Sequence, residues 1–160
     1  MVLDAFQAGL SWAIILRKRT AMQQAFSNFD PRLVQQYGED DRARLLADPG
    51  IIRNRLKIDA TIHNAGEFIR LQDKYGSFAK FIWQFTEGTP IINCWQAESE
   101  IPAVSPQAES MSKALKKEGF KFVGPVICYA FMQAAGMIND HLTSCFRFEP
   151  LVKLAEQVTL

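Results

Sequence analysis

The sequence predicts an all-α protein folded as one domain over residues 1–160. Three observations carry that expectation. Apolar residues recur at helical spacing along most of the chain, and no alternating apolar–polar run exceeds about four residues. Pro, Gly, Ser and Asp sit where helices would begin and end. With 48% hydrophobic and 22% charged residues, a chain of 160 residues is long enough and apolar enough to bury a core, which sets the disordered class aside.

The elements follow in order. Trp12, Ile15, Leu16, Met22 and Phe26 keep helical spacing after Ser11, an N-cap residue type. Gly9 closes a short helix before them and leaves Leu10 at the apex of a tight turn. Asp30-Pro31 opens another helix, with proline in the first turn where no N–H is needed. A helix from Glu39 to Ala47 stops at Asp48-Pro49-Gly50. Arg53 to about Tyr75 is a long helix with Leu56, Ala60, Ile62, Ala65 and Ile69 on a broadly apolar side. Phe78, Phe81, Ile82 and Phe85 mark a short amphipathic helix. Gly88 to Pro106 reads as a long, largely irregular connection, a type of segment that often carries function. Ser105-Pro106 caps a helix bearing Met111, Ala114 and Leu115, which ends at Gly119. Pro125 starts a second helix after the hairpin, Val126 to Ala135, apolar on nearly every side and so expected at the centre of the core. Residues 146–160 read as a C-terminal tail.

Composition narrows the function classes. No apolar run approaches the roughly eighteen residues that span a bilayer. The N-terminus lacks the basic region of a secretory signal. Cys94, Cys128 and Cys145 are odd in number and scattered, which argues against a disulfide framework and for the reducing cytoplasm. There is no glycine-rich nucleotide loop, no HExxH and no nucleophile elbow. A net charge of +1 does not point to nucleic acid by itself. Its distribution is more informative: Arg17-Lys18-Arg19, Arg53/Arg55/Lys57 and Lys113/Lys116/Lys117/Lys121 form basic clusters. Such clusters are either solvated helix faces or a local surface for a phosphate backbone.

The most informative segment runs from about 106 to 135, two helices joined by the hairpin Gly119-Phe-Lys-Phe-Val-Gly124. A glycine-bounded hairpin leading into a helix N-terminus lets backbone approach closely and points free N–H groups outward at the positive end of a dipole. Gly119, Lys121, Val123 and Gly124 are then the residues that would lie along a DNA backbone, gripping it without reading sequence. The other reading is an ordinary helical hairpin with a packing glycine.

Four blocks in this chain, QAGLSW (7–12), GIIRNRLKI (50–58), SKALKKEGFKFVGP (112–125) and YAFMQAAGMINDH (129–141), resemble the DNA-3-methyladenine glycosylase I family, in the family's order. The resemblance implies a helix-hairpin-helix glycosylase fold. It also implies monofunctional excision of 3-methyladenine from alkylated double-stranded DNA in base-excision repair, with no cofactor for the chemistry and no membrane partner. Family members ordinarily begin with a further stretch that carries a Cys and a His ligating zinc, and aromatic residues that help enclose the base. The expectation is therefore an N-terminally truncated glycosylase fold. A non-catalytic DNA-binding remnant is the alternative.

The resemblance also assigns roles. The target nucleotide must leave the duplex to be reached. Methylation at N3 makes the base cationic and a good leaving group, so the site needs a reader of the base edge, an aromatic wall and electrostatic support. Asp4 stands where the family carries a carboxylate. It would accept hydrogen bonds from the adenine edge and favour a cation; otherwise it is a surface acid in a first helical turn. Trp12 would stack on the purine, with a cation–π gain of about 1–2 kcal/mol when desolvated, or else be plain core. Gln7 and Leu10 lie on the turn that would enter the duplex and fill the vacated gap. Asp140 is a rival participant, or a capping and structural residue. His141 and Cys145, spaced H-x3-C, match the family's C-terminal zinc pair on what the spacing reads as one helical turn, which raises a structural zinc. His63 has no metal-ligand companion nearby and belongs on a helix surface or in a satisfied core position. A monomer is expected.

Overall fold

The computed structural model describes residues 1–158. It is helical throughout, with α1 (Val2–Gln7), α2 (Trp12–Ala25), α3 (Pro31–Val34), α4 (Glu39–Ala47), α5 (Arg55–Tyr75), α6 (Phe78–Trp83), α7 (Pro106–Lys117), α8 (Pro125–Ala134) and α9 (Phe148–Ala155). The starts follow local chemistry. Side chains of Asp30, Asn54, Ser77 and Ser105 accept hydrogen bonds from backbone N–H groups in the first turns of α3, α5, α6 and α7. Ser11 precedes α2 without making such a bond. At the other end of α5, Gly76 adopts the left-handed conformation that stops a helix.

Two apolar cores lie on either side of the middle of the chain. The first gathers Phe6, Ile15, Met22, Phe26, Val34 and Leu45 with Ile58, Ile62 and Ala65 of α5. The second gathers Phe81, Met111, Leu115, Val123, Cys128 and Met132 with Leu71 of α5. Helix α5, about 30 Å long at 1.5 Å per residue, thus serves both. No described helix is long and apolar enough to cross a membrane.

Two expectations change, at the C-terminal segment and at α8, while the largely irregular connection from Gly88 to Pro106 carries one short bridge. Ile91–Ile92 (β1) pairs in parallel with Ile138–Asn139 (β2), with Ile91 N–H donating to Met137 O at 2.9 Å and Asn93 N–H to Asn139 O at 3.1 Å. A two-residue bridge leaves no alternating pattern to read. Residues 146–160 are not a plain tail, since Phe148–Ala155 is helical and Phe148 is buried. Pro150 sits in its first turn, where no backbone donor is lost. Helix α8 is one-sided rather than wholly buried: Cys128, Tyr129 and Met132 face inward while Val126 is 59% exposed.

The α7–α8 hairpin is held by α5. Asn64 clamps Lys121 from both sides, its Nδ2 donating to Lys121 O and its Oδ1 accepting from Lys121 N–H, each at 2.8 Å. His63 Nε2 lies 2.8 Å from Gly119 O, so it is a satisfied surface residue. Arg70 and Lys74 donate to the Glu118 carboxylate at 3.0 and 2.6 Å. Inside the hairpin Ser112 Oγ donates to Val123 O at 2.6 Å. Gly119 has φ +93°, and a Cβ there would stand 3.2 Å from Glu67 Cδ. Gly119→Ala is expected to destabilise the fold by about 1–2 kcal/mol through backbone strain, read as a lower urea midpoint with an unchanged slope.

Candidate DNA-binding and base-recognition site

A cavity of about 640 Å³ opens between α1, α2, α5 and the α7–α8 hairpin, where the two cores meet. Its walls are mostly apolar and aromatic: Phe29, Phe68, Phe78, Phe120, Phe122 and Phe131 contribute, with Trp12 and Thr61. Asp4 is the carboxylate on its lining.

Asp4 projects from the middle of α1 and is 4% exposed. Its Oδ2 lies 2.6 Å from the Met1 amino group. Trp12, first residue of α2, is 41% exposed, so it is not core and its ring remains available on the cavity wall.

Between Asp4 and Trp12 the chain reverses. Ala8 (φ −48°, ψ 117°) and Gly9 (φ +80°) form a type II turn, whose third position requires a positive φ. Leu10 N–H closes it on Gln7 O at 2.7 Å, and Gln7 Nε2 donates to Leu10 O at 2.7 Å. Gln7 therefore braces the turn, while Gly9 and the half-buried Leu10 form its tip.

Beside the cavity the hairpin presents a second surface. Lys121 is exposed, and the side chain of Val123 is buried. The backbone N–H groups of Val123 and Gly124, and of Val126 and Ile127 in the first turn of α8, have no acceptor among the described residues. Phe122 has φ +53°, which carries its ring to the cavity rim.

Lys57 corrects the sequence reading. It was grouped with Arg53 and Arg55 as basic surface, yet it is 7% exposed. Its Nζ donates to Phe6 O at 2.9 Å and Ala8 O at 2.6 Å. Burial lowers its pKa from the ordinary lysine value.

Asp140 lies away from this cavity, on a separate depression walled by α8, β2 and α9. Its two carboxylate oxygens accept four bonds: from Asn93 Nδ2 at 2.8 Å, Trp95 Nε1 at 2.7 Å, Tyr129 OH at 2.6 Å and Gln133 Nε2 at 2.7 Å. Burial pushes its pKa up, but these bonds outweigh it and hold the carboxyl below its ordinary value. Burial and the same contact push the Tyr129 hydroxyl up. Cys145 Sγ lies 3.5 Å from His141 Nδ1, on a non-helical turn rather than on a helix. The two supply half of a tetrahedral donor set. No group of three or more His, Cys, Asp or Glu gathers among the described residues, so these residues do not by themselves close a zinc site.

The hairpin's unpaired amides beside an aromatic cavity with a buried carboxylate are the architecture of helix-hairpin-helix DNA glycosylases. The chain belongs to the methyladenine glycosylase family, whose model matches residues 1–148. It is 45% identical to DNA-3-methyladenine glycosylase 1 of Escherichia coli K12 over 143 residues, 89% of this chain and 76% of the relative. It is 38% identical to DNA-3-methyladenine glycosylase of Haemophilus influenzae Rd, over 89% of this chain and 77% of that protein. A crystal structure of 3-methyladenine DNA glycosylase I superposes with TM-score 0.88 at 46% identity, covering 91% of this chain and 80% of the other. The Staphylococcus aureus enzyme, solved to explain its 3-methyladenine recognition, superposes at 0.89 with 37% identity, covering 92% and 78%.

The cavity's phenylalanines escaped the sequence reading because their spacing does not distinguish a cavity wall from a core. Asp140→Asn places an amide against four donors and should cost about 2 kcal/mol at neutral pH. Since the folded-state pKa is lowered, the carboxylate's contribution is full above the unfolded value and is lost as pH falls through the folded one. The stability gap between parent and variant should therefore narrow on acidification below about pH 4, followed by urea unfolding at stepped pH.

Proposed function

We propose that this chain is a monofunctional DNA glycosylase that excises 3-methyladenine from alkylated duplex DNA, acting as a cytoplasmic monomer. The observation that carries the reading is the buried Asp4 carboxylate set with the open face of Trp12 in one cavity, between a rigid turn and the hairpin.

The residues divide the task. Unpaired amides at the start of α8 and the Lys121 ammonium take phosphate oxygens and fix the protein on the backbone. The turn tip, Gly9 and Leu10, enters the stack as the nucleotide leaves it. In the cavity Trp12 stacks on the extruded base, and Asp4 accepts from its edge and stabilises its positive charge. The N9–C1′ bond then breaks with its electron pair going to the base, which leaves as neutral 3-methyladenine. Water adds to the sugar cation at C1′ and gives up a proton, leaving an abasic site. Because the leaving base is already cationic, no protein acid has to protonate it. Asp140, saturated by four donors, has no part in these steps.

Undamaged adenine is a poor leaving group, so its release should be undetectable where 3-methyladenine is lost. Asp4→Ala should slow single-turnover release from methylated duplex by about 10²-fold without weakening binding to lesion-free duplex. A purified parent that binds duplex but releases no 3-methyladenine would be a DNA-binding protein and not an enzyme. Lys121→Ala should weaken binding to any duplex alike and flatten the log K against log salt slope by about one; an unchanged slope would remove the hairpin from the interface.

A further inference from the structure

Lys57 is a charged group at the cavity that the reaction above leaves without a task. It stands in the first turn of α5 and lines the cavity, yet its ammonium is spent on two backbone carbonyls, Phe6 O and Ala8 O. Those carbonyls belong to different devices. Phe6 lies in the last turn of the short helix that carries Asp4, and Ala8 is the second residue of the type II turn that carries Leu10. One side chain therefore ties base reader and turn to the same helix.

A six-residue helix followed by a tight turn has little stiffness of its own. The ammonium satisfies carbonyls that α1 leaves open at its C-terminal end, where positive charge also complements the helix dipole. Thr61 and Asn64 continue the stripe that Lys57 begins, at helical spacing along one face of α5. Thr61 Oγ1 donates to Lys57 O at 2.8 Å, and Asn64 holds the hairpin at Lys121. Two positions on one face thus fix the turn and the hairpin at a set separation.

We propose that Lys57 is a positioning residue that couples entry of the Leu10 turn into the duplex to seating of the flipped base on Asp4. This rests on the glycosylase reading above. With the clamp in place the turn and the carboxylate move as one body, so opening the base step and presenting the pocket become a single event. Without it the turn yields to the restacking duplex while the pocket, built by other residues, still binds the free base.

The test uses Lys57→Met, which keeps length and removes every donor, and Lys57→Arg, which keeps charge and donors. Three readouts are compared: single-turnover release from methylated duplex, Trp fluorescence titration with free 3-methyladenine, and the fluorescence of 2-aminopurine beside a tetrahydrofuran abasic analogue. Lys57→Met should slow release by at least about tenfold and more than halve the 2-aminopurine rise, with free-base and lesion-free duplex affinities within about threefold. Lys57→Arg should recover most of the 2-aminopurine rise. In a Leu10→Ala background the Lys57→Met change should add no more than about a twofold loss, because the two residues act through one turn. Release by Lys57→Met within about twofold of the parent, an equal loss of free-base affinity, or multiplying losses with Leu10→Ala would each overturn the proposal. If Lys57→Met does not fold, the Arg variant decides: a 2-aminopurine rise as low as that of Leu10→Ala overturns it, and a parental rise supports it. A parent that releases no 3-methyladenine refutes the glycosylase reading, while the 2-aminopurine signal still reports the coupling.

Discussion

Helix α5 has to face two apolar cores at once, and the rest of the molecule is arranged around that demand. Its first half supplies Ile58, Ile62 and Ala65 to one core, and Leu71 reaches the other. The stripe between these faces cannot be buried against either core, so it is left to line the space where they meet. The cavity follows from that geometry: two cores sharing one helix leave a cleft along it. Polar residues on the stripe spend their hydrogen bonds on backbone at both edges of the cleft. Lys57 takes the turn after α1, and Asn64 takes the hairpin.

The two acidic residues at opposite ends of the chain show how environment divides roles. Asp140 gathers donors from the long connection and from α8, so its charge is consumed in holding that connection against the helix. Asp4 is more deeply buried, yet it lines an open cavity beside aromatic rings. A carboxylate with filled acceptors is a fastener. One in an aromatic cavity favours whatever cation enters, which is the discrimination a repair enzyme for alkylated purines needs.

Much of the fold was legible because its signals are local. Asp30-Pro31 and Ser105-Pro106 open helices for reasons contained in a few neighbouring residues. The turn at Gly9 and the hairpin at Gly119 were legible for the same reason. What escaped depends on partners far away in sequence. Lys57 looked like basic surface because nothing near it announces that the carbonyls of Phe6 and Ala8, some fifty residues earlier, need a donor. The β1–β2 bridge and the bonds from Asn93 and Trp95 to Asp140 likewise join segments over forty residues apart. The resemblance located Asp4 and Trp12, but only the fold showed that one is buried and the other open. His141 and Cys145 lie side by side on a turn instead of the helix that their spacing suggested.

The bracing of the Gln7–Leu10 turn bears on how such a protein searches. Its backbone is fixed by the Leu10 N–H bond, the Gln7 amide and the Lys57 ammonium before any duplex is met. With Leu10 as the proposed wedge, no ordering of the turn remains to be done at each base step. Discrimination during scanning then falls to the DNA: a stiff, well-stacked step resists a rigid probe, and a step weakened by a damaged pair admits it. Mechanical softness of the duplex becomes the first sieve, and the charge of the extruded base the second.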